Sequence, residues 1–401
     1  MSTRPRPCSP LRRRLLRCTG LLLALMLSAG ALRAQSCGMR ISLITCGQGD
    51  DLYSSWGHCA VRIVDSSSGR DLVFNYGTFD FSQPDFYWQF TRGKLLYFLS
   101  VDTYADFIGE YREENRSVTE QVLNLSCVQK QAIWDYLSTN YLPENRYYKY
   151  DFLFDNCSTR VRDIFARTLG DGWKVPNLLQ GKHLSYREAF SRDLKGSPWI
   201  SLGINLLLGK GTDAEMSSWQ AMYLPAYLEE GVAHSSLGPK PMVRRTQMLY
   251  TSTRPPLTDA PWYEQPLSLF VLIALLVLWL SLRPAGSLSR RLMPWIDRCL
   301  FFLSGLLGSF MLFMWLGTDH TMCAWNLNLL WALPTHLVFS FFTQKRSLGV
   351  RRYAALVLLI NLLLIAGWFE LPQQLPLAAL PLIALLAFRS LVIFRRPAQL
   401  G

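Results

Sequence analysis

Residues 150–165 read YDFLFDNCSTRVRDIF: an aromatic, acidic lead-in drops onto one cysteine, Cys157, and then turns amphipathic. A nucleophile needs such a setting, whereas a buried structural thiol does not. Asn156 or Asp155 is placed to cap a helix that begins at the cysteine, and either sits close enough to help position a substrate. Val161, Ile164, Phe165 and Leu169 share one helical face, and Gly170 stands where the helix should stop. A sulfur in the first turn meets unpaired backbone N–H groups and the positive end of the helix dipole, and both favour thiolate over thiol.

A thiolate nucleophile also needs a base that takes and returns a proton, and imidazole suits neutral pH. His58 opens an ordered stretch, while His183 and His234 fall in loop-like ones. The third member of such a set is a polar group that orients the imidazole. Asn75 is the first choice and Asp80 the alternative.

The elements that must position these residues follow from periodicity. MRISLITC reads as a strand running into the Gly-rich GQGD. WGHCAVRIVD alternates as a second strand, with His58 at its start. LVFNYGTFDF is a third strand interrupted at Gly77, and KLLYFLSVDT a fourth. YADFIGEYREENR and LSCVQKQAIWDYLSTNYL then space their apolar residues as helices do, the second capped by Ser126. The expectation is a small α+β domain whose antiparallel sheet precedes the helix that presents Cys157.

The rest of the chain places this domain. Half of the 401 residues are hydrophobic and the formal charge is +12, but those totals average over unlike regions. Residues 1–34 run basic, apolar, then small, which is the order of a secretory signal. Residues 35–184 form the thiol domain and 185–262 a helical extension near the membrane. In 263–401 the composition turns apolar, with spans near 267–282, 299–316, 324–342, 354–369 and 375–394. Several fall short of the roughly 20 residues that cross a bilayer comfortably, so the loops must decide. One connection carries Arg283, Arg290, Arg291 and Arg298, another Lys345, Arg346, Arg351 and Arg352, and the tail Arg395 and Arg396. The intervening GTDHTM and ELPQQ have neither Lys nor Arg. That alternation predicts five spans, a cytoplasmic C-terminus and the thiol domain outside. Much of the positive charge is therefore topogenic and carries no implication of nucleic-acid binding.

The exported portion holds Cys37, Cys46, Cys59, Cys127 and Cys157, an odd number that leaves at least one thiol unpaired or paired between chains in an oxidising space. The spacing fits no zinc pattern and does not specify which cysteines pair.

WGHCAVRI, FNYGTFDF and FDNCSTRVRD together resemble the circularly permuted papain-like (NlpC-type) superfamily, in which a strand histidine precedes a cysteine at a helix start. Lecithin:retinol acyltransferase and its relatives are similar. Closer still, the chain resembles the Lnb-type lipoprotein N-acyltransferases of the bacterial inner membrane, which join a periplasmic thiol domain to a multispan membrane domain. GTDHTMCAWNLNLLWALP extends the likeness into the membrane half. The resemblance implies Cys157 as nucleophile and His58 as general base, with a polar partner from FNYGTFDF. It implies a phospholipid as acyl donor, the N-terminal cysteine of a lipoprotein as acceptor, and no metal or nucleotide cofactor. Cys59 beside the histidine departs from what such a site requires.

Five spans exceed what a tether needs and suggest lipid handling. Asp319 and His320 fall on the same side as the thiol domain and are candidates for placing a headgroup or amine. Asn326, Asn328 and His336 are polar residues within a span, read either as functional or as hydrogen-bonding neighbouring helices. SPWISLGINLLLG and WQAMYLPAYLEE read either as lying on the bilayer and guiding acyl chains or as packing into ordinary core. Two other functions compete: a membrane-anchored papain-like cell-wall peptidase or amidase, and a non-catalytic membrane chaperone.

Overall fold

The structure, a computed structural model, describes residues 37–283 and 286–397; the expected signal peptide lies outside the described residues. Seven strands build the main sheet: β1 (Met39–Cys46), β2 (His58–Asp65), β3 (Arg70–Thr78), β4 (Leu96–Thr103), β5 (Val118–Leu123), β6 (Tyr147–Lys149) and β7 (Val243–Tyr250). They pair antiparallel in the order β7-β5-β1-β2-β3-β4-β6. β1 and β2 run in register from Met39 opposite Asp65 to Cys46 opposite His58.

Both faces of this sheet are covered, which is why its central strands read as apolar almost throughout. Ile41, Leu43, Cys59, Val61, Ile63, Phe74 and Tyr76 point to one face. There they pack with α3 (Cys127–Tyr141), through Ile133 and Leu137, and with α4 (Cys157–Leu169), through Val161, Ile164 and Phe165. Ile44, Cys46, Ala60 and Val73 point to the other face, against Phe107, Ile108 and Tyr111 of α2 (Tyr104–Glu113). A short helix, α1 (Phe86–Thr91), bridges β3 and β4. Ser126 caps α3 by accepting from the Gln129 backbone N–H, as its position in the sequence predicts.

The extension divides between the two alternatives. Tyr186 and Ala189 of α5 (Tyr186–Ser191) pack with Leu153, Tyr223 and Leu224 in a satellite core. Leu228 and Val232 of α7 (Pro225–His234) join the main core, and the chain then returns as β7. Between them α6 (Pro198–Leu207) leans on the membrane half, with Trp199 edge-on to Phe270 at 5.8 Å.

That half is helical: α8 (Pro266–Leu282), α9 (Ser287–Leu316), α10 (Leu348–Ala366) and α11 (Leu380–Arg395). Among the described residues, three helical stretches are long and apolar enough to cross a membrane: Leu288–Leu316, Leu348–Ala366 and Leu377–Arg395; α8 is a shorter apolar helix. The apolar stretch 324–342 is not one helix. It is built from the turn Leu327–Leu330 and the four-residue helix His336–Phe339. Trp325 takes a positive φ of 56°, Asn326 is extended, and Pro334 has no N–H to give a helix. Asp297 on α9 is fully buried but not unpaired, since Arg389 and Arg396 reach it at 2.6 and 3.0 Å.

Candidate active site

α4 starts at Cys157 because Asn156 caps it. The Asn156 side-chain oxygen accepts from the Thr159 N–H at 2.9 Å, while Thr159 Oγ1 accepts from the Asn156 N–H at 2.8 Å. The Asn156 amide nitrogen donates to the carbonyls of Phe152 and Tyr223 at 2.7 and 2.9 Å, so this buried residue locks the helix start to its surroundings. Asp155 faces away from that role and forms a two-pronged ion pair with Arg160.

The backbone brings the sheet to this sulfur through two glycines with positive φ. Gly57, at φ 81°, turns the chain into β2 where an added Cβ would lie 2.6 Å from the Cys46 carbonyl oxygen. Gly77, at φ 93°, lies in an irregularity of the β3–β4 ladder, and a Cβ there would touch the Cys157 Cβ and the Tyr150 ring, each at 3.8 Å.

His58 then meets Asn75. Asn75 Nδ2 donates to Asp102 Oδ2 at 2.6 Å, which turns the amide oxygen toward the histidine. His58 Nε2 lies 3.3 Å from that oxygen and therefore carries the proton it donates. Nδ1 is the nitrogen left for the Cys157 sulfur, with which the ring hydrogen-bonds. The result is a relay of thiol, imidazole, amide and carboxylate on α4, β2, β3 and β4.

Its electrostatics favour an ion pair. A hydrogen bond from the Cys59 thiol is the largest influence on Cys157. Burial opposes it, but the charge of His58, its hydrogen bond and the Cys59 backbone hold the thiol well below its ordinary value. Burial alone would push the His58 imidazolium down; the negative charge and hydrogen bond of Cys157 outweigh it and hold it above its ordinary value. Cys59, pushed well up by burial, stays a thiol, and its single S–H is shared between Ser158 Oγ, to which it donates at 3.2 Å, and the Cys157 sulfur.

Other sequence candidates lie elsewhere. Asp80 accepts from Ser82 in a surface turn, so Asn75 is the residue the structure sets against His58. Asp319 pairs with Lys149 at 2.9 Å, and His320 Nε2 lies 3.3 Å from the Phe90 carbonyl oxygen, so both brace the thiol domain on the membrane half. The amides of Asn326 and Asn328 donate to the Leu206 carbonyl at 2.7 and 3.3 Å. Those side chains clamp the end of α6, which is the packing alternative rather than the lipid-positioning one. His336 is buried against Ser304 of α9 at 3.1 Å. Sequence reasoning missed Asp102. Its only signal was an acid two residues after the Ser100 that pairs with Asn75. Cys59 was noted as surplus, and its donor role needed the fold. Among the described residues no cluster of His, Cys, Asp and Glu suited to a metal occurs.

The sheet-first α+β domain, with Cys157 at a helix start beside a strand histidine, is fused here to a half built of apolar helices. The Lnb N-terminal periplasmic domain matches residues 32–190 and the Lnb transmembrane domain residues 259–398. The chain belongs to the Lnb family, and is an inner-membrane protein with a periplasmic domain. Membership supports a role of the lipoprotein N-acyltransferase type. Comparisons with curated proteins and with solved structures found no match.

Proposed function

We propose that the protein moves an acyl chain from a membrane phospholipid, through a thioester on Cys157, to the α-amine of a lipoprotein's N-terminal diacylglyceryl-cysteine. The Cys157 thiolate attacks an ester carbonyl of the donor. The tetrahedral oxyanion collapses with loss of the glycerol oxygen, which takes its proton from the His58 imidazolium and leaves as lysophospholipid. The acceptor amine then attacks the thioester carbonyl, gives its proton to His58, and expels the thiolate as the amide forms. Two moderate steps replace one difficult exchange.

The chain's own groups serve each step. Asn156 occupies the Thr159 N–H, so the N–H groups of Cys157 and Ser158 are the helix-start donors available to an oxyanion. Asn75 and Asp102 keep Nε2 protonated and Nδ1 on the sulfur. The observation that carries the reading is the Cys157–His58–Asn75–Asp102 hydrogen-bonded set on a domain joined to the Lnb transmembrane helices. The charge pattern of the loops supports a cytoplasmic C-terminus.

The test is Cys157→Ser with lipoprotein N-termini read by mass spectrometry. The third acyl chain should be lost, and the wild-type protein should yield a long-chain thioester on Cys157. Intact N-acylation with altered cell-wall fragments would instead support a peptidase.

A further inference from the structure

The acyl-transfer reading leaves open how a chain dissolved in the bilayer reaches a sulfur in the periplasmic domain. The molecule exposes aromatic rings on the side of that domain that meets the membrane half. α1 rests on the end of α9: Trp88 stacks on Phe313 at 6.0 Å, and the Asp319 N–H donates to the Arg92 carbonyl at 2.9 Å. The next rings lead away from this contact toward the thiol. Phe86 touches Phe81 at 4.8 Å, Phe81 meets Phe79 edge-on at 5.0 Å, and Phe79 meets Tyr53 edge-on at 5.7 Å. Phe79 is two residues from Gly77, whose missing side chain leaves Cys157 and Tyr150 in reach. Phe81 and Tyr53 are 61% and 58% exposed, although each has packed partners. Two exposed rings that share the part-buried Phe79 as a packed floor mark an interaction surface rather than chance exposure.

We propose that this row is the acyl-chain site: Phe79 is its floor, Tyr53 and Phe81 its walls, and its occupant is one fatty chain of a membrane glycerophospholipid. The occupant is chosen by continuity. The row begins where α1 stacks on a helix long and apolar enough to cross the bilayer, and Phe79 leads inward through Tyr97, at 5.2 Å, to Tyr150, which stacks on Tyr97 at 4.3 Å and borders Gly77 together with Cys157. Arg92 and Lys94 beside α1 supply cations of the kind that meet phosphate headgroups at a membrane surface. The proposal rests on the acyl-transfer reading.

The experiment uses the full chain in detergent micelles. Acylation of Cys157 is followed by mass spectrometry with palmitoyl-chain and butanoyl-chain phosphatidylethanolamine as donors. In the Tyr53→Ser, Phe81→Ser double variant the ratio of long-chain to short-chain acylation rates should fall about tenfold or more, because the chain loses its apolar contacts. The Tyr53→Leu, Phe81→Leu variant should restore the ratio, since apolar area rather than a hydroxyl is at issue. Iodoacetamide labelling of Cys157 at the wild-type rate verifies that the thiol site is assembled. A long-to-short ratio within twofold of wild type in the serine variant would overturn the site while leaving acyl transfer standing. No thioester on the wild-type chain with either donor would remove both.

Discussion

Asp102 grips Asn75 through a 2.6 Å hydrogen bond and so decides which ring nitrogen of His58 faces the sulfur. Without that carboxylate the Asn75 amide is free to turn its NH2 toward His58, which would favour the wrong tautomer. Asp102→Ala should therefore lower kcat by about tenfold to a hundredfold with little change in KM. Asn75→Ala should cut kcat at least as far. It also strands a half-buried carboxylate, at a cost of about 1–3 kcal/mol of stability. Steady-state kinetics with thermal unfolding on the same preparations separate the two effects.

The pH profile follows from the signs of the two shifts. Cys157 is held well below its ordinary value of 9.0 and His58 above its ordinary value of 6.5, so thiolate and imidazolium coexist between the two shifted values. Alkylation of Cys157 should persist to pH values well under the ordinary thiol range, with the acid limb displaced downward. His58→Ala removes the positive partner, so the limb should move back up and labelling near pH 7 should slow. Iodoacetamide rates read by peptide mass spectrometry check this, and an unmoved limb would rule out the ion pair.

Asn156 combines two jobs that substitutions can pull apart. Asn156→Ala removes the cap of α4 and strands the carbonyls of Phe152 and Tyr223, costing about 2–3 kcal/mol. Asn156→Asp keeps the capping oxygen but puts a negative charge beside the thiolate, so the acid limb of Cys157 alkylation should shift upward. Both variants leave the Phe152 and Tyr223 carbonyls without their donor and should unfold at lower temperature, but only the aspartate variant should also shift the acid limb of the alkylation profile.

The candidate thiol, the candidate base beside it and the helix cap were legible because each depends on local chain. His58 follows a glycine turn, Asn75 lies on the next strand, and Asn156 sits one residue before an amphipathic run. What was not legible depends on distant chain. β7 pairs with β5 across more than a hundred residues, and its exposed face carries no alternating apolar signal. Asp102 acts only because β3 and β4 pair in one register. The stretch 324–342 misled because hydropathy counts side chains and is blind to backbone: Asn326 and Pro334 break a helix that the apolar residues alone would suggest.

The two halves should differ in how much their contacts matter. Lys149–Asp319 is an exposed pair, so Asp319→Ala should leave thermal unfolding unchanged within error. Asn326 is buried and satisfies the Leu206 and Leu207 carbonyls, and its oxygen accepts from Gln373. Asn326→Leu strands these groups and should cost about 1–3 kcal/mol, measured by unfolding in detergent. Equal losses in the two variants would refute this division between a surface strut and a buried clamp.

Cys59 looks superfluous beside the base, yet its thiol makes the hydrogen bond that most strongly favours the Cys157 thiolate. Burial keeps Cys59 protonated, so its one S–H stays available to Ser158 Oγ and to the Cys157 sulfur. Cys59→Ala removes the donor but leaves His58, and the acid limb of Cys157 reactivity should move upward by less than in His58→Ala if imidazolium charge matters more in solution. If the thiol donor dominates, the order reverses. Cys59→Ser replaces S–H by a stronger O–H donor in nearly the same volume and should hold the limb near its wild-type position. In either order Cys59→Ala must shift the limb and Cys59→Ser must not. A limb that is the same in both variants would show that the second thiol only fills space behind the first.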